Sequence, residues 1–367
     1  MELKEGKYLI CMGQALPQAI VRKLLEHFDW DAERCWHSQS RWLNMLENRN
    51  EQLRRSLALC ADLDADAAYK YCVDNNIRVS AETDEDFPDN FRHIVRPPCY
   101  FTYLGTLPDP KLLPIAVVGA RRADDYGKQC TRRIVSELAD VANAHIISGM
   151  AEGIDGLAHR CALDNGGFTT AVLGCGIDVL YPRAHKNLKE EIAEKGCIIS
   201  ELPLGASSLP SRFPERNRLI SGLSRGILVI QGTRKSGSSI TVSHGLEQGK
   251  DIFALPGPVN RELSALPHHL IKTGQAKLCA CAMDIIEDYM DPALLETREA
   301  EAEGESLIDL GETREQRMVL SELELGRRSI EELETCGMDA SELMAFLTEL
   351  EIKGVIRDCG GNYFEII

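Results

Sequence analysis

The stretch Ile115-Ala-Val-Val-Gly-Ala-Arg-Arg-Ala-Asp-Asp-Tyr-Gly127 decides the fold. A short apolar run ends at a glycine, and a segment with helical spacing follows it. The same order recurs from residue 113 to about residue 286. Because the apolar runs lack polar alternation, they are typical of strands buried on both faces of a parallel sheet. The pattern predicts an α/β fold with an extended Rossmann-like, doubly wound core, and its strand candidates are Ile115–Val118, His145–Ser148, Thr170–Leu173, Cys197–Ser200, Gly226–Ile230 and Asp251–Leu255.

Three further segments flank this core. Apolar residues at helical spacing in the first 80 residues, among them Leu16, Ile20 and Leu24, predict a helical module. An acidic segment with few bulky apolar residues is typical of a linker, and three helical patterns before a Gly-Gly-Asn turn outline a winged helix. We therefore expect a helical domain of the SAM or helix-hairpin-helix kind at 1–85, the Rossmann-like domain at 95–290, an acidic linker at 291–314 and a winged-helix domain at 315–367.

The charge of the chain is unevenly distributed. The formal net charge is −16 over 367 residues. Residues 114–280 nevertheless carry 20 Lys and Arg against 16 Asp and Glu, whereas residues 281–367 carry 7 against 23. Local charge steers a polyanion more than the total does, so the acidic total does not exclude a nucleic-acid partner for the middle of the chain.

Several classes of protein are disfavoured by composition. No apolar run approaches the ~18–20 residues that cross a bilayer, and the first residues lack the layout of a secretory signal, so we expect a cytoplasmic location and no membrane contact. The 13 cysteines are scattered, which favours reduced thiols over disulfides. The close pair Cys279 and Cys281 has no second pair to complete a zinc site, so we expect no metal site. We also expect no cofactor.

Glycine-bearing turns follow the strand candidates. Such turns place backbone N–H groups and helix N-termini where an anion can approach. Neither the GxGxxG nor the Walker A pattern is present, so the turns favour phosphate contacts without a nucleotide-cofactor signature. Their candidate binding residues are Gly119, Arg121, Arg122, Tyr126, Gly127, Ser148, Gly149, Met150, Gly153, Gly174, Gly176, Ser236, Gly237 and Thr241.

The block from Arg212 to Arg225 adds guanidinium groups and an aromatic ring. Arginine suits both phosphate contacts and stacking on bases. Since Phe213 precedes Pro214, we expect it in an extended conformation with a projecting ring that stacks on a base. The candidate residues here are Arg212, Phe213, Arg216, Asn217 and Arg218.

Two patterns also admit a catalytic interpretation. Asp155 and His159 stand four residues apart on one helical segment and can touch as a general-base pair, or they can hold the helix to its loop. Cys175 is either a nucleophile or a small loop residue. The non-catalytic alternative is favoured for both, because no nucleophile or metal motif accompanies the pair and no base is fixed near the thiol.

In this order the motifs resemble those of the DNA-processing protein A family (DprA, also called Smf). The resemblance covers residues 95–285 most strongly. It rests on Gly119-Ala-Arg121, Ser148-Gly-Met-Ala-Glu-Gly-Ile-Asp155, Leu173-Gly-Cys-Gly176, Ser200-Glu-Leu-Pro203, Phe213-Pro-Glu-Arg-Asn-Arg218, Ser236-Gly237 and Phe253-Ala-Leu-Pro-Gly257.

The resemblance implies a non-catalytic protein that binds single-stranded DNA. Such proteins protect incoming strands during natural transformation, load the RecA recombinase onto them and commonly form homodimers. It also implies that Arg121, Arg212, Arg216 and Arg218 hold phosphates and that Phe213 lies against a base.

Two alternatives remain. A Lonely-Guy-like nucleotide phosphoribohydrolase shares the Rossmann-like core, but Gln231-Gly-Thr-Arg-Lys-Ser-Gly237 stands where its catalytic glutamate would lie. The winged helix could bind duplex DNA, but its longest helical segment is acidic where a recognition helix should be basic. A protein contact or an autoregulatory role is favoured for it.

Overall fold

The structure is a computed structural model that describes residues 3–46, 51–289, 313–324, 326–353 and 355–366. It divides into two compact units, Met1–Tyr289 and Met290–Ile367. Residues 291–312 of the proposed acidic linker lie outside the described residues. Within the described part of the chain, no helix has both the length and the apolarity needed to cross a bilayer.

The first unit contains fourteen helices among its described residues. Seven precede the parallel core and seven pack within or against it. Their bounds are α1 Leu3–Ala15, α2 Gln18–Glu26, α3 Ala32–Trp36, α4 Gln39–Met45, α5 Glu51–Ala61, α6 Ala65–Asp74, α7 Asp89–Arg92, α8 Asp125–Ala142, α9 Ile154–Asp164, α10 Lys186–Lys195, α11 Arg212–Leu223, α12 Gly237–Glu247, α13 Ala265–Lys272 and α14 Met283–Ile286.

A nine-stranded sheet forms the centre of this unit. The strands are β1 Arg78–Ala81, β2 Tyr100–Gly105, β3 Leu113–Val118, β4 Ala144–Ser148, β5 Phe168–Val172, β6 Cys197–Ser200, β7 Gly226–Val229, β8 Asp251–Ala254 and β9 Lys277–Leu278. Their spatial order is β1-β2-β6-β5-β4-β3-β7-β8-β9. The seven strands from β6 to β9 in that order run parallel, and β1 and β2 pair antiparallel at one edge.

The order of the sheet fixes where a ligand can bind. From β3 the chain moves outward through β4, β5 and β6, then returns to place β7 on the other side of β3. The connections after β3 and β7 therefore diverge, and a crevice opens between them at the carboxyl ends of these strands. The predicted doubly wound fold is confirmed, and all six strands expected in the core are present.

The N-terminal helices pack around a core of their own that continues into the sheet. Trp42 is fully buried and meets the Trp36 ring edge-on, with 6.3 Å between the ring centroids. The same apolar cluster includes Leu173 and Ile198 of the sheet region. The strand β1 belongs to the sheet although it falls within residues 1–85, and the proposed domain boundaries stay a prediction.

Helix α11 overturns one expectation. Phe213 was expected in an extended conformation before Pro214, but both residues lie in the first turn of this helix. The expectation was wrong because first-turn N–H groups have no acceptor within the helix, so a proline there breaks no helical hydrogen bond. From Arg216 to Leu223 every residue of the helix is buried.

The second unit has the helices and strands of a winged helix. Its described elements are α15 Arg314–Glu324, β10 Arg328–Ser329, α16 Ile330–Glu334, α17 Ala340–Ile352, β11 Ile356–Asp358 and β12 Tyr363–Ile366. The three strands pair antiparallel in the order β10-β12-β11. Ser329 and Glu332 form a reciprocal capping box at the start of α16, and the apolar core includes Leu333, Phe346 and Phe364.

Candidate nucleic-acid interface

A cleft of about 310 Å³ lies at the crevice between the ends of β3 and β7. The turn after β3 contributes one wall, and the start of α12 contributes another. Helix α11 presents a third set of side chains, and α9 adds Asp155. The lining residues are Val118, Gly119, Ala120, Arg121, Ala151, Asp155, Phe213, Arg216, Asn217, Ile220, Ser236, Gly237, Ser238 and Thr241.

The Phe213 ring is partly exposed and lies beside two guanidinium groups. The ring centroid lies 5.5 Å from Cζ of Arg121 and 5.8 Å from Cζ of Arg216. Tyr181 supports the ring at 5.4 Å between centroids. A Cβ on Gly174 would lie 2.7 Å from Cδ1 of Phe213, so a glycine is required for this packing. The ring is thus fixed at the cleft with part of its surface available to another flat group.

The Arg216 guanidinium is buried and already bonded within the protein. It donates to the carbonyl oxygen of Gly149 at 2.8 Å and to that of Val172. Burial lowers its pKa to about 10, although the Asp155 carboxylate opposes the shift. The group is therefore charged at neutral pH, and it supplies positive potential to the cleft while tying together the ends of β4 and β5.

The Asp155 carboxyl is also buried beside the cleft. It accepts from the amide N–H of Gly149 at 3.2 Å. Burial raises its pKa to about 6, although Arg216 and the amides of Gly149 and Ala151 oppose the shift. The His159 side chain has a different partner, the Thr169 hydroxyl, which lies 2.7 Å from its Nδ1. The structure places the two residues in separate packing contacts, as the non-catalytic interpretation expected.

The N-terminus of α12 closes the cleft on the β7 side. Ser236 precedes the helix, and its hydroxyl lies 2.7 Å from that of Ser238. Asn217 donates from Nδ2 to the carbonyl oxygen of Gly237 at 3.2 Å. Free N–H groups of a first turn carry partial positive charge. This end of the cleft is suited to an anionic group such as a phosphate.

Arg218 does not line this cleft. Its Nη2 donates to Glu201 at 2.6 Å, and the two side chains are only 10% and 15% exposed. Burial raises the pKa of the Glu201 carboxyl, although Arg218 opposes the shift. The role as a phosphate ligand that the resemblance implied for Arg218 is not visible in this geometry, because the adjacent carboxylate occupies one arm of its guanidinium.

The other predicted site residues fall into two groups. Some shape the cleft from behind: Ser148 donates to the carbonyl oxygen of Val117 at 2.7 Å, and Gly153 adopts a φ of +84°. With Gly149, Met150, Gly174 and Gly176, these hold the turns. Others are not among its lining residues: Arg122, Tyr126, Gly127 and Arg212. The Tyr126 hydroxyl donates to the carbonyl oxygen of Pro256, and Arg212 donates to that of Ser207, each at 2.5 Å.

Several lining residues were not singled out from the sequence as ligands. Asp155 was considered as a base and not as a wall of the cleft, and Ser238 and Ile220 were not considered. The spacing of the α11 residues along the sequence could have indicated which of them share a face. Phe213, Arg216, Asn217 and Ile220 stand at i, i+3, i+4 and i+7 of α11, the spacing of one helical face.

The described residues give no support to metal or thiol chemistry. No group of three or more His, Cys, Asp or Glu side chains among them is arranged to hold a metal ion. Cys175 is buried, and burial raises the pKa of its thiol. A protonated, enclosed thiol is a poor nucleophile, which agrees with the interpretation of Cys175 as a loop residue.

Comparison with known families decides the assignment. A family model described as "DNA recombination-mediator protein A" matches residues 78–290. The chain belongs to this family. A second model, the DprA winged helix domain, matches residues 300–362, in agreement with the winged helix of the second unit.

Relatives share the central part of the chain. It is 39% identical to the DNA processing protein DprA of Streptococcus pneumoniae over 206 residues, which span 56% of this chain and 72% of that protein. It is 45% identical to protein Smf of Escherichia coli over 161 residues, 44% of this chain and 43% of that one. The match to Smf therefore spans less than half of either protein.

Two solved structures of the family are similar to this one. The X-ray structure of DNA processing protein A from S. pneumoniae gives a TM-score of 0.68 at 32% identity, and the match covers 78% of this chain and 98% of that one. A Helicobacter pylori relative gives a TM-score of 0.51 at 30% identity over 57% of this chain and 95% of that chain. That structure is described as showing the single-stranded DNA binding mode of the H. pylori protein.

Proposed function

We propose that this protein binds single-stranded DNA in the cleft between β3 and β7 as a non-catalytic mediator of recombination in the cytoplasm. The observation that carries the proposal is the Phe213 ring, held partly exposed beside Arg121 and Arg216. An aromatic face next to cationic groups suits an unpaired base and its phosphate. The single-strand binding described for the H. pylori relative supports the same partner for this chain.

Different parts of the cleft bind the phosphate and the base. The N-terminus of α12 and the exposed Arg121 favour phosphate oxygens, and Phe213 favours the flat face of a base. Stacking tolerates any base because each has a π-face. We therefore expect salt-sensitive binding with weak sequence preference.

The geometry of Asp155 supports a non-catalytic role over the phosphoribohydrolase alternative. Asp155 is the acidic residue among those lining the described cleft. It accepts from a backbone amide and faces the Arg216 charge, so its oxygens are engaged in the fold. Release of free base from a nucleoside monophosphate would contradict this part of the proposal.

The cleft is tested by two substitutions that remove the same charge. Arg121 lines the cleft, whereas its exposed neighbour Arg122 is not among the lining residues. Arg121→Ala should weaken binding of an oligothymidylate by about tenfold or more, since one charge-assisted contact contributes roughly 1.5–3 kcal/mol. Arg122→Ala should weaken it less. Fluorescence anisotropy at two salt concentrations measures both, and equal affinities for the two variants would contradict the placement of the strand.

We further propose that the protein protects incoming strands and loads RecA onto them as a homodimer. Family membership supports this proposal. RecA-dependent ATP hydrolysis on single strands already coated with a competing single-strand binding protein should accelerate on addition of this chain. Analytical ultracentrifugation should give twice the mass of one chain. An unaccelerated rate would contradict recombinase loading, and a single-chain mass would contradict dimerisation.

A further inference from the structure

A second and larger cavity, of about 900 Å³, lies between the first two helices and the end of β6. Its volume is in the range of sites that take small organic groups. Much of its wall is apolar or aromatic, from Leu16, Pro17, Pro97, Tyr100, Leu202 and Pro203. Walls of this kind bury the apolar surface of a small organic ligand, and a few polar groups orient it.

Helix α11 separates this cavity from the cleft. Arg216 and Asn217 line the cleft, whereas Glu215 and Arg218 line the cavity. A helix with its side chains is ~10 Å thick, so the two sites lie about that far apart. Both stand at the same edge of the sheet, because Glu201 follows β6 just as Gly119 follows β3. The two sites therefore lie at one edge of the sheet, on opposite sides of α11.

One nitrogen atom of Arg218, at the cavity wall, has no hydrogen-bond partner among the described residues. Its Nη2 bonds Glu201, but its Nη1 is buried and finds no acceptor among the residues that the structure describes. Only 8% of the residue is exposed. A buried donor without a partner costs stability, and a carbonyl oxygen on a guest would supply the partner. Because Nη1 is buried, contact with a guest requires the neighbouring side chains to move.

The charges of the lining favour a base over a phosphate. Arg218 is paired with Glu201, and Arg22 is paired with Glu82. The remaining cations in the lining are Lys23 and Arg96, and the remaining acids are Glu26 and Glu215. Because these four balance, the cavity offers little net attraction to a phosphate. The planar, neutral part of a nucleotide suits it better.

We propose that this cavity takes an unstacked base from the strand bound in the cleft, with a base carbonyl oxygen accepting from Arg218. The inference rests on the proposed single-strand binding, and it adds a second subsite formed jointly by the helical N-terminal region and the sheet. Oligonucleotides long enough to reach both sites should gain affinity over those that fill the cleft alone.

A substitution at the mouth of the cavity tests this subsite. Ala19 is exposed on α2 and lines the cavity, so Ala19→Trp should block the mouth without disturbing the core. Ala67→Trp, at an exposed position of α6 outside the lining, is the matched control. Anisotropy is measured with oligothymidylates of about four and about sixteen nucleotides, the span of site sizes for single-strand modules.

The full-length wild-type chain should bind the longer strand more tightly, and Ala19→Trp should remove about fivefold or more of that gain. The same variant should bind the shorter strand as the wild type does. The longer strand with abasic sites beyond its first few nucleotides should lose the gain in the wild type.

Three outcomes would overturn the subsite: equal behaviour of the two tryptophan variants, an equal loss for short and long strands in Ala19→Trp, or a gain that survives removal of the bases. Failure of the wild type to bind even the short strand would instead refute the proposed function.

Discussion

The Arg216 guanidinium is predicted to stabilise the fold more than that of Arg212 in the same helix. Replacing it with methionine keeps most of the side-chain volume and removes the charge. The change leaves the carbonyl oxygens of Gly149 and Val172 without this donor in a buried setting. It also leaves the buried Asp155 carboxylate without its main opposing charge.

The expected loss follows from these contacts. Each buried acceptor left without a donor costs about 1–3 kcal/mol, so the two carbonyls together account for roughly 2–6 kcal/mol. Removing one member of a buried charged pair costs about 3–5 kcal/mol, and this figure overlaps with the first. We expect Arg216→Met to lower the free energy of unfolding of the first unit by about 3–6 kcal/mol.

The control lies one helical turn earlier. Arg212 is only partly buried, and it donates to the carbonyl oxygen of Ser207. Arg212→Met removes the same charge and should cost about 1 kcal/mol or less. The comparison thus separates the buried contacts of Arg216 from the general effect of losing a positive charge.

Tryptophan fluorescence during urea unfolding gives the measurement. The three tryptophans, Trp30, Trp36 and Trp42, all lie in the first unit, so their signal reports that unit alone. The midpoint should fall far more for Arg216→Met than for Arg212→Met at an unchanged slope. Equal midpoints for the two variants would refute the structural role assigned to Arg216.

The remaining predictions concern His159, Lys189 and the removal of the second unit. Burial lowers the pKa of His159 to about 3. In the unfolded chain the imidazole is protonated below about pH 6.5, whereas in the folded protein it stays neutral, so the free energy of unfolding falls on acidification. Unfolding midpoints measured from about pH 4 to 7 should depend less on pH in His159→Asn. An unchanged pH dependence would contradict this. The partly buried Lys189 donates to the carbonyl oxygens of Ile177 and Val179 at 2.6 and 2.9 Å. Lys189→Met should loosen the loop that leads to Tyr181, which contacts the Phe213 ring, and should weaken single-strand affinity by roughly 1 kcal/mol. An affinity equal to that of the exposed Lys186→Met would refute this. A chain ending at Tyr289 should bind single strands as tightly as the full chain or more so, since the acidic second unit is removed; a large loss in gel-shift titrations would assign that unit a direct role.

Most of the parallel sheet could be predicted because strands buried on both faces consist mainly of apolar residues without polar alternation. The strand β7, for example, is buried at every position and has the apolar sequence Gly226-Ile-Leu-Val229. Of the two antiparallel strands at the edge, β1 is the harder one to recognise. The strand β1 has only four residues and follows a helical segment, so nothing in its local pattern separates it from the N-terminal module.

Helix α11 could not be recognised by the usual amphipathic pattern. It is buried along most of its length, and its buried residues include two arginines and an asparagine. Polar residues at core positions remove the apolar periodicity that predicts a helix. Their partners are distant in sequence: Arg216 bonds Gly149, and Arg218 bonds Glu201. Which arginine is free and which is paired depends on tertiary contacts that local sequence does not contain.

The same helix explains why a basic stretch of sequence is not one basic surface. Successive residues of an α-helix are rotated by about 100°, so the neighbours Asn217 and Arg218 must point in different directions. The structure places Asn217 in the cleft, whereas Arg218 faces Glu201 at the second cavity. Residues three and four apart share a face instead, which unites Phe213, Arg216 and Asn217. Of the four arginines to which the resemblance assigns phosphate contacts, Arg121 is therefore the best candidate, because it is exposed and lines the cleft, and the N-terminus of α12 adds backbone donors beside it.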